Sequence, residues 1–121
     1  MDLRPLDPAF PIDRQIALDA NPVVLVNVFT VDKADEDALL VAWKADAEFM
    51  KRQPGFISTQ LHRAIGDSPI YLNYAVWEST AHFRAAFMNP EFRKGLSAYP
   101  RSTVASPHLF QKLAVPGICV A

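Results

Sequence analysis

The sequence predicts an α+β fold with the element order β-α-β-β-α-β and an antiparallel sheet, and three observations carry that expectation. "VVLVNVFTV" (Val23–Val31) and "IYLNYAVW" (Ile70–Trp77) have the β-branched, aromatic composition of strands. Each is followed by a segment whose apolar residues recur at three- and four-residue spacing, the period of an amphipathic helix. Between the halves, "FISTQLHR" is joined to the second of these strands by "IGDSP", which reads as a hairpin.

Each element follows from local chemistry. Met1–Pro22 is rich in proline and aspartate, with only scattered Leu3, Phe10 and Ile16, and reads as an N-terminal arm (1–22) before a single domain (23–121). The density of Val23–Val31 suggests a central strand covered on both faces. "DKADED" is helix-start chemistry, and Leu39, Leu40, Trp43, Ala47 and Met50 form one apolar stripe that ends at "QPG". Phe56–Arg63 and Ile70–Trp77 are the hairpin strands. Ser79 is a good N-cap for a helix carrying Phe83, Ala86 and Phe87 inward, and Asn89-Pro90 interrupts it before a shorter piece with Phe92, Leu96 and Tyr99. "HLFQKLAV" (His108–Val115) supplies the last predicted strand. This order is ferredoxin-like, with the first and third of these strands antiparallel neighbours at the sheet centre.

Composition limits the function. The chain has 121 residues, half of them hydrophobic, with a formal net charge of −1 and no basic cluster denser than Lys51-Arg52, so nucleic acid is not an expected partner. Cys119 is the single cysteine, which fits a reducing cytoplasm and leaves no internal disulfide. The first twenty residues lack an apolar h-region, and Val23–Val26 is too short to span a bilayer, so neither a signal peptide nor a membrane span is expected. The four glycines are dispersed, which excludes a phosphate-cradling loop, and flavin and nicotinamide motifs are absent. His62, His82 and His108 show no HxxxH or HExxH spacing, so no metal site is expected.

The two strands share an unusual feature: "LVNVFTV" and "YLNYAVW" each place an asparagine in an apolar run. Side chains alternate along a strand, so Leu25, Asn27, Phe29 and Val31 share one face of the first, and Tyr71, Asn73, Ala75 and Trp77 one face of the other. A buried amide without partners costs about 1–3 kcal/mol. Either Asn27 and Asn73 bond each other or nearby backbone, with Trp77 a plain core residue, or these groups wait for a ligand. In the second case Trp43, Phe83, Phe87, Leu96 and Tyr99 would wall an apolar cavity suited to a flat aromatic molecule.

At these residues the sequence resembles the antibiotic biosynthesis monooxygenase family of dimeric α/β barrels, and most closely its small cofactor-independent anthrone oxygenases from aromatic polyketide pathways. The stretches that carry the resemblance are "LVNVFTV", "RQPGFISTQLHR", "YLNYAVWES" with "HFRAAFMNPEF", and "HLF". It implies catalytic roles for Asn27, Asn73 and Trp77, a homodimer, and an oxidation of an aromatic polycyclic phenol or anthrone to a quinone by dioxygen, with no flavin, heme or metal. The family's heme-degrading branch uses a tryptophan and an axial histidine at positions that fall near Ala86 and Leu96, so heme is not expected. Some quinone-forming relatives carry a tyrosine where this chain has Phe83. The alternatives are a stress-related or non-catalytic barrel that binds a hydrophobic molecule, and a polyketide cyclase on the same fold. Val24, Val26 and Val28, on the opposite strand face, imply that a partner covers the sheet, and the proline-rich arm is expected to wrap that partner.

Overall fold

A computed structural model describes all residues, Met1–Ala121. The elements are β1 (Asp2–Leu3), α1 (Ile12–Gln15), β2 (Val23–Thr30), α2 (Glu36–Met50), β3 (Phe56–Arg63), β4 (Ile70–Trp77), α3 (Thr80–Phe87), α4 (Pro90–Gly95) and β5 (Val104–Phe110). Short 3-10 turns precede α2 (Lys33–Asp35) and follow α4 (Leu96–Ala98). The sheet order is β1-β5-β2-β4-β3, antiparallel throughout except for the β1–β5 pair, so β2 and β4 are the expected central neighbours and the ferredoxin-like α+β fold is formed.

The helix boundaries follow the local signals. Ser79 Oγ accepts from the His82 N–H and caps α3. Asn89 caps α4, accepting from the Glu91 N–H ahead of Pro90 at the first helical position. After α2 the chain turns at Gly55, whose φ of +83° is left-handed, and a Cβ there would collide with the His82 ring.

Three expectations are corrected. The last strand is Val104–Phe110 rather than His108–Val115, because pairing with β2 sets its limits, Thr30 opposite Val104 and Val24 opposite Phe110. Pro107 fits inside it because β1 ends at Leu3, opposite Ala105, so no strand on the outer edge of β5 needs an N–H at position 107. Leu40 is 39% exposed, whereas Phe49 is buried, so the inner stripe of α2 runs through Leu39, Ala42, Trp43, Phe49 and Met50. The N-terminal arm folds back on its own chain. Asp2 N donates to Thr103 O at 2.9 Å, Arg4 N to Ala105 O at 2.8 Å, and Ile12 and Ile16 are buried in the core.

The helices cover one face of the sheet, and the core beneath them is divided. One cluster gathers Val23, Leu25, Ala75, Trp77 and Phe83 with the aromatics of α3 and α4, while the other gathers Phe29, Val31, Leu39, Tyr71 and Tyr99. The break falls between Leu25 and Phe29 on β2 and between Tyr71 and Ala75 on β4, which is where the two asparagines sit. No helix is long and apolar enough to cross a membrane.

Candidate active site

Asn27 and Asn73 are directly opposite in the β2–β4 register, on the face under the helices. They lie at the floor of a cavity of about 270 Å³. All the residues predicted for the site line it: Asn27, Asn73 and Trp77 from the sheet, Trp43 from α2, Phe83 and Phe87 from α3, and Leu96 and Tyr99 from the turn after α4. The roof is mostly apolar and aromatic. Phe83 meets Trp77 edge to face at 5.8 Å between centroids and stacks on Phe87 at 5.3 Å, while Phe56 meets Trp77 from its other side at 5.4 Å. The indole plane is thereby fixed. Tyr99 stacks on Phe29 at 6.0 Å and closes the opposite end.

The polar groups are incompletely bonded. Asn73 Oδ1 accepts from Thr59 Oγ1 at 2.5 Å, which orients the amide and leaves its Nδ2 free toward the cavity. Asn27 Oδ1 is buried without a hydrogen-bond partner. The register supplies the reason: its cross-strand neighbours are Pro107, which brings no polar side-chain atom, and Asn73, whose carbonyl already holds the threonine hydroxyl. The two amides therefore do not satisfy each other, and neither amide N–H nor the Trp77 indole N–H takes part in a hydrogen bond within the chain.

Thr59 and Asp46, both polar residues of the site, were not singled out from the sequence. Thr59 lies on the inner face of β3 opposite Ala75, so the hairpin register would have found it. Asp46 lies three residues after Trp43 and four before Met50, on the apolar stripe of α2, and it too lines the cavity. Burial raises its carboxyl above the ordinary range, with an opposing pull from the Tyr99 hydroxyl. Burial, with the Asp46 charge beside it, also pushes the Tyr99 hydroxyl far up, so that it stays protonated.

The remaining candidates stand apart from the cavity. His62 is exposed on β3, His82 is held by the α3 cap with its Nδ1 2.7 Å from Ser79 Oγ, and His108 Nδ1 lies 3.1 Å from Gln15 Nε2. No three His, Cys, Asp or Glu side chains converge as a metal site would need.

Fold and cavity together define a small α+β protein with a mostly apolar, aromatic-lined site. The chain belongs to the antibiotic biosynthesis monooxygenase family, whose model matches residues 22–97. It is 33% identical over 93 residues to deoxynogalonate monooxygenase of Streptomyces nogalater, covering 77% of this chain and 78% of that one. Among solved structures it superposes on SnoaB, a cofactor-independent oxygenase of the same organism, with a TM-score of 0.72 and 30% identity over 81% of this chain and 99% of that one. A Shewanella loihica structure gives 0.67 and 32% over the same shares.

Proposed function

We propose that this chain is a cofactor-independent monooxygenase that oxidises an aromatic polycyclic phenol or anthrone to the corresponding quinone with dioxygen. The observation that carries the reading is the pair of register-matched asparagines whose amide N–H groups, with the Trp77 indole N–H, are unbonded in an otherwise apolar cavity. A fold stabilised by these groups would bond them. A ring ketone or phenol entering the cavity would do so instead.

Ground-state dioxygen is a triplet and cannot react in a concerted two-electron step with a singlet molecule, but it can take one electron from a stabilised carbanion. Loss of a proton from the methylene carbon, across the central ring from an anthrone carbonyl, gives an enolate whose charge spreads through the fused rings to the oxygen. The Asn73 amide, fixed by Thr59, would donate to that oxyanion, and so would the Asn27 N–H, while Asn27 Oδ1 would accept from a phenolic hydroxyl of the substrate. Trp77 would offer its N–H to the carbonyl or peroxide, with Phe56 and Phe83 holding its ring plane. Trp43, Phe83, Phe87, Leu96 and Tyr99 would clamp the ring faces and exclude water until the radical pair recombines. The cavity volume is near the lower end of the roughly 300–1,000 Å³ common for ligand sites, which favours a compact fused-ring molecule.

A second copy of the chain is the partner this reading requires. The sheet face turned away from the helices carries Val26, Val28, Leu72 and Val76 half-buried, with Tyr74 and Phe110 41% and 44% exposed, an apolar surface of the kind that subunits cover.

The test is quinone formation from an anthrone, followed by absorbance, in air and under nitrogen. The expected result is turnover well above the buffer rate that stops without oxygen. Consumption no faster than in buffer overturns the proposal, and quinone formation unchanged under nitrogen overturns dioxygen as the oxidant.

A further inference from the structure

Asp46 is a partly buried carboxylate whose partner within the chain is the neutral Tyr99 hydroxyl. It projects from the inner stripe of α2 into the cavity and makes no ion pair. A charge removed from water without a cation is costly, and substitution by an apolar residue is the usual remedy. The cationic side chain lining the cavity, Arg93 of α4, is engaged elsewhere: its guanidinium lies over the Phe87 ring at 4.6 Å and its Nη2 is 2.9 Å from Met88 Sδ; Met1, which carries the N-terminal ammonium, also lines the cavity. The other titratable side chain facing Asp46 is Tyr99, from the turn after α4, which stays protonated. The strands beneath contribute only neutral polar groups, Asn27, Thr59, Asn73 and the Trp77 indole. Gly95 leaves room beside the carboxylate, since a Cβ there would stand 3.0 Å from Asp46 Oδ1.

The cavity thus has hydrogen-bond donors on the sheet side and a carboxylate on the helix side, and a substrate between them would meet both. We infer that Asp46 is the base that takes the ring proton of the substrate, an inference that rests on the anthrone reading above. The Asp46 carboxylate accepts the proton from the methylene carbon, the C–H pair becomes the enolate, and the oxyanion is held by the amide N–H groups. One electron passes from the enolate to dioxygen and the two radicals combine, forming a C–O bond and a peroxide anion. The protonated Asp46 returns its proton to that anion. The carboxylate then removes the second hydrogen of the same carbon as the O–O bond breaks, and the departing hydroxide takes this proton from Asp46 as water. The balance is one anthrone and one dioxygen to one quinone and one water, with Asp46 regenerated.

The test compares the parent with Asp46→Asn and Asp46→Glu on an anthrone, with and without deuterium at the methylene. Asp46→Asn is expected to lower kcat roughly a hundredfold or more with KM changed less than about threefold, and to abolish the fall in rate that the parent shows at acidic pH. Asp46→Glu should restore most of the rate and the acidic limb. The deuterium effect should be larger in Asp46→Asn than in the parent. The fold provides the control: because burial raises the carboxyl, its ionised form is disfavoured in the native state, so Asp46→Asn should melt no lower than the parent at neutral pH, and any gain should vanish as the pH falls. An active parent with Asp46→Asn within about threefold of it, or with the acidic limb intact, overturns the base and leaves the oxygenase reading standing. A parent that oxidises no anthrone overturns both. A lower melting temperature together with an inactive Asp46→Glu makes the carboxylate structural and overturns the assignment.

Discussion

Tyr71 and Asn73 are neighbours on the inner face of β4, yet their polar groups are treated in opposite ways. At Tyr71 every partner is present: its hydroxyl donates to Glu36 Oε1 at 2.6 Å, Arg63 Nε donates to the same oxygen at 3.0 Å, and the guanidinium lies 5.9 Å from the tyrosine ring centroid. One turn of the pleat further on, the Asn73 amide keeps its N–H free, and across the register Asn27 Oδ1 has no partner at all. Both regions have polar groups under the same helices. The contrast is what the proposed function rests on: the fold satisfies the polar groups around Tyr71 and leaves those on the cavity floor open, although Thr103 Oγ1, away from the cavity, is also buried without a partner.

The largest effect that would break this contrast is on turnover. Asn73→Ala removes one oriented donor to a developing oxyanion and is expected to reduce kcat roughly a hundredfold, as a loss of about 3 kcal/mol of barrier stabilisation implies. Tyr71→Phe, two residues away on the same strand face, should change it less than about threefold. Equal losses in steady-state quinone formation would show that both clusters are structural supports and that the asparagines hold no special role.

The next effect concerns stability, and the sign is the point. Replacing Asn27 by Leu removes a buried acceptor that nothing satisfies and should stabilise the chain by about 1 kcal/mol in chemical denaturation while abolishing most turnover. Replacing Thr59 by Val removes the hydroxyl that Asn73 Oδ1 accepts from, and should cost about 1 kcal/mol and loosen the amide, lowering kcat by about tenfold. A destabilised Asn27→Leu would mean that its amide already has an internal partner.

The difference between these groups was only partly legible in the sequence. Alternation along Val23–Thr30 and Ile70–Trp77 was enough to put Asn27, Asn73 and Trp77 on one face, because a strand has a period of two whatever surrounds it. The aromatic walls followed from helical spacing in the same way. Partnership was not legible, because it depends on register between strands far apart in the chain: Thr59 reaches Asn73 through the hairpin, and Pro107 deprives Asn27 of a neighbour through β5. The limits of β5 were missed for the same reason, since "ASP" before His108 has weak strand composition and is held extended by β2 on one side and, at Ala105, by β1 on the other. Asp46 escaped notice because a single polar residue on an apolar stripe reads as a solvated flank until the helix is docked.

The smallest effect belongs to the satisfied cluster and is a matter of pH. Hydrogen bonding from Tyr71, and then from Arg63, holds the Glu36 carboxyl below its ordinary range in the folded chain. A carboxyl whose pKa is lowered by folding contributes stability above its unfolded pKa, and that contribution is lost as the pH falls through the folded value. Glu36→Gln should therefore lower the melting temperature slightly at neutral pH, with the gap to the parent closing in acid. Because Glu36 lies near the surface and solvent screens it, the gap should be small, and it should shrink further in high salt. Turnover should be untouched, since this cluster does not line the cavity. A fall in kcat with Glu36→Gln at constant stability would join the two regions of β4 into one functional network and remove the distinction between them.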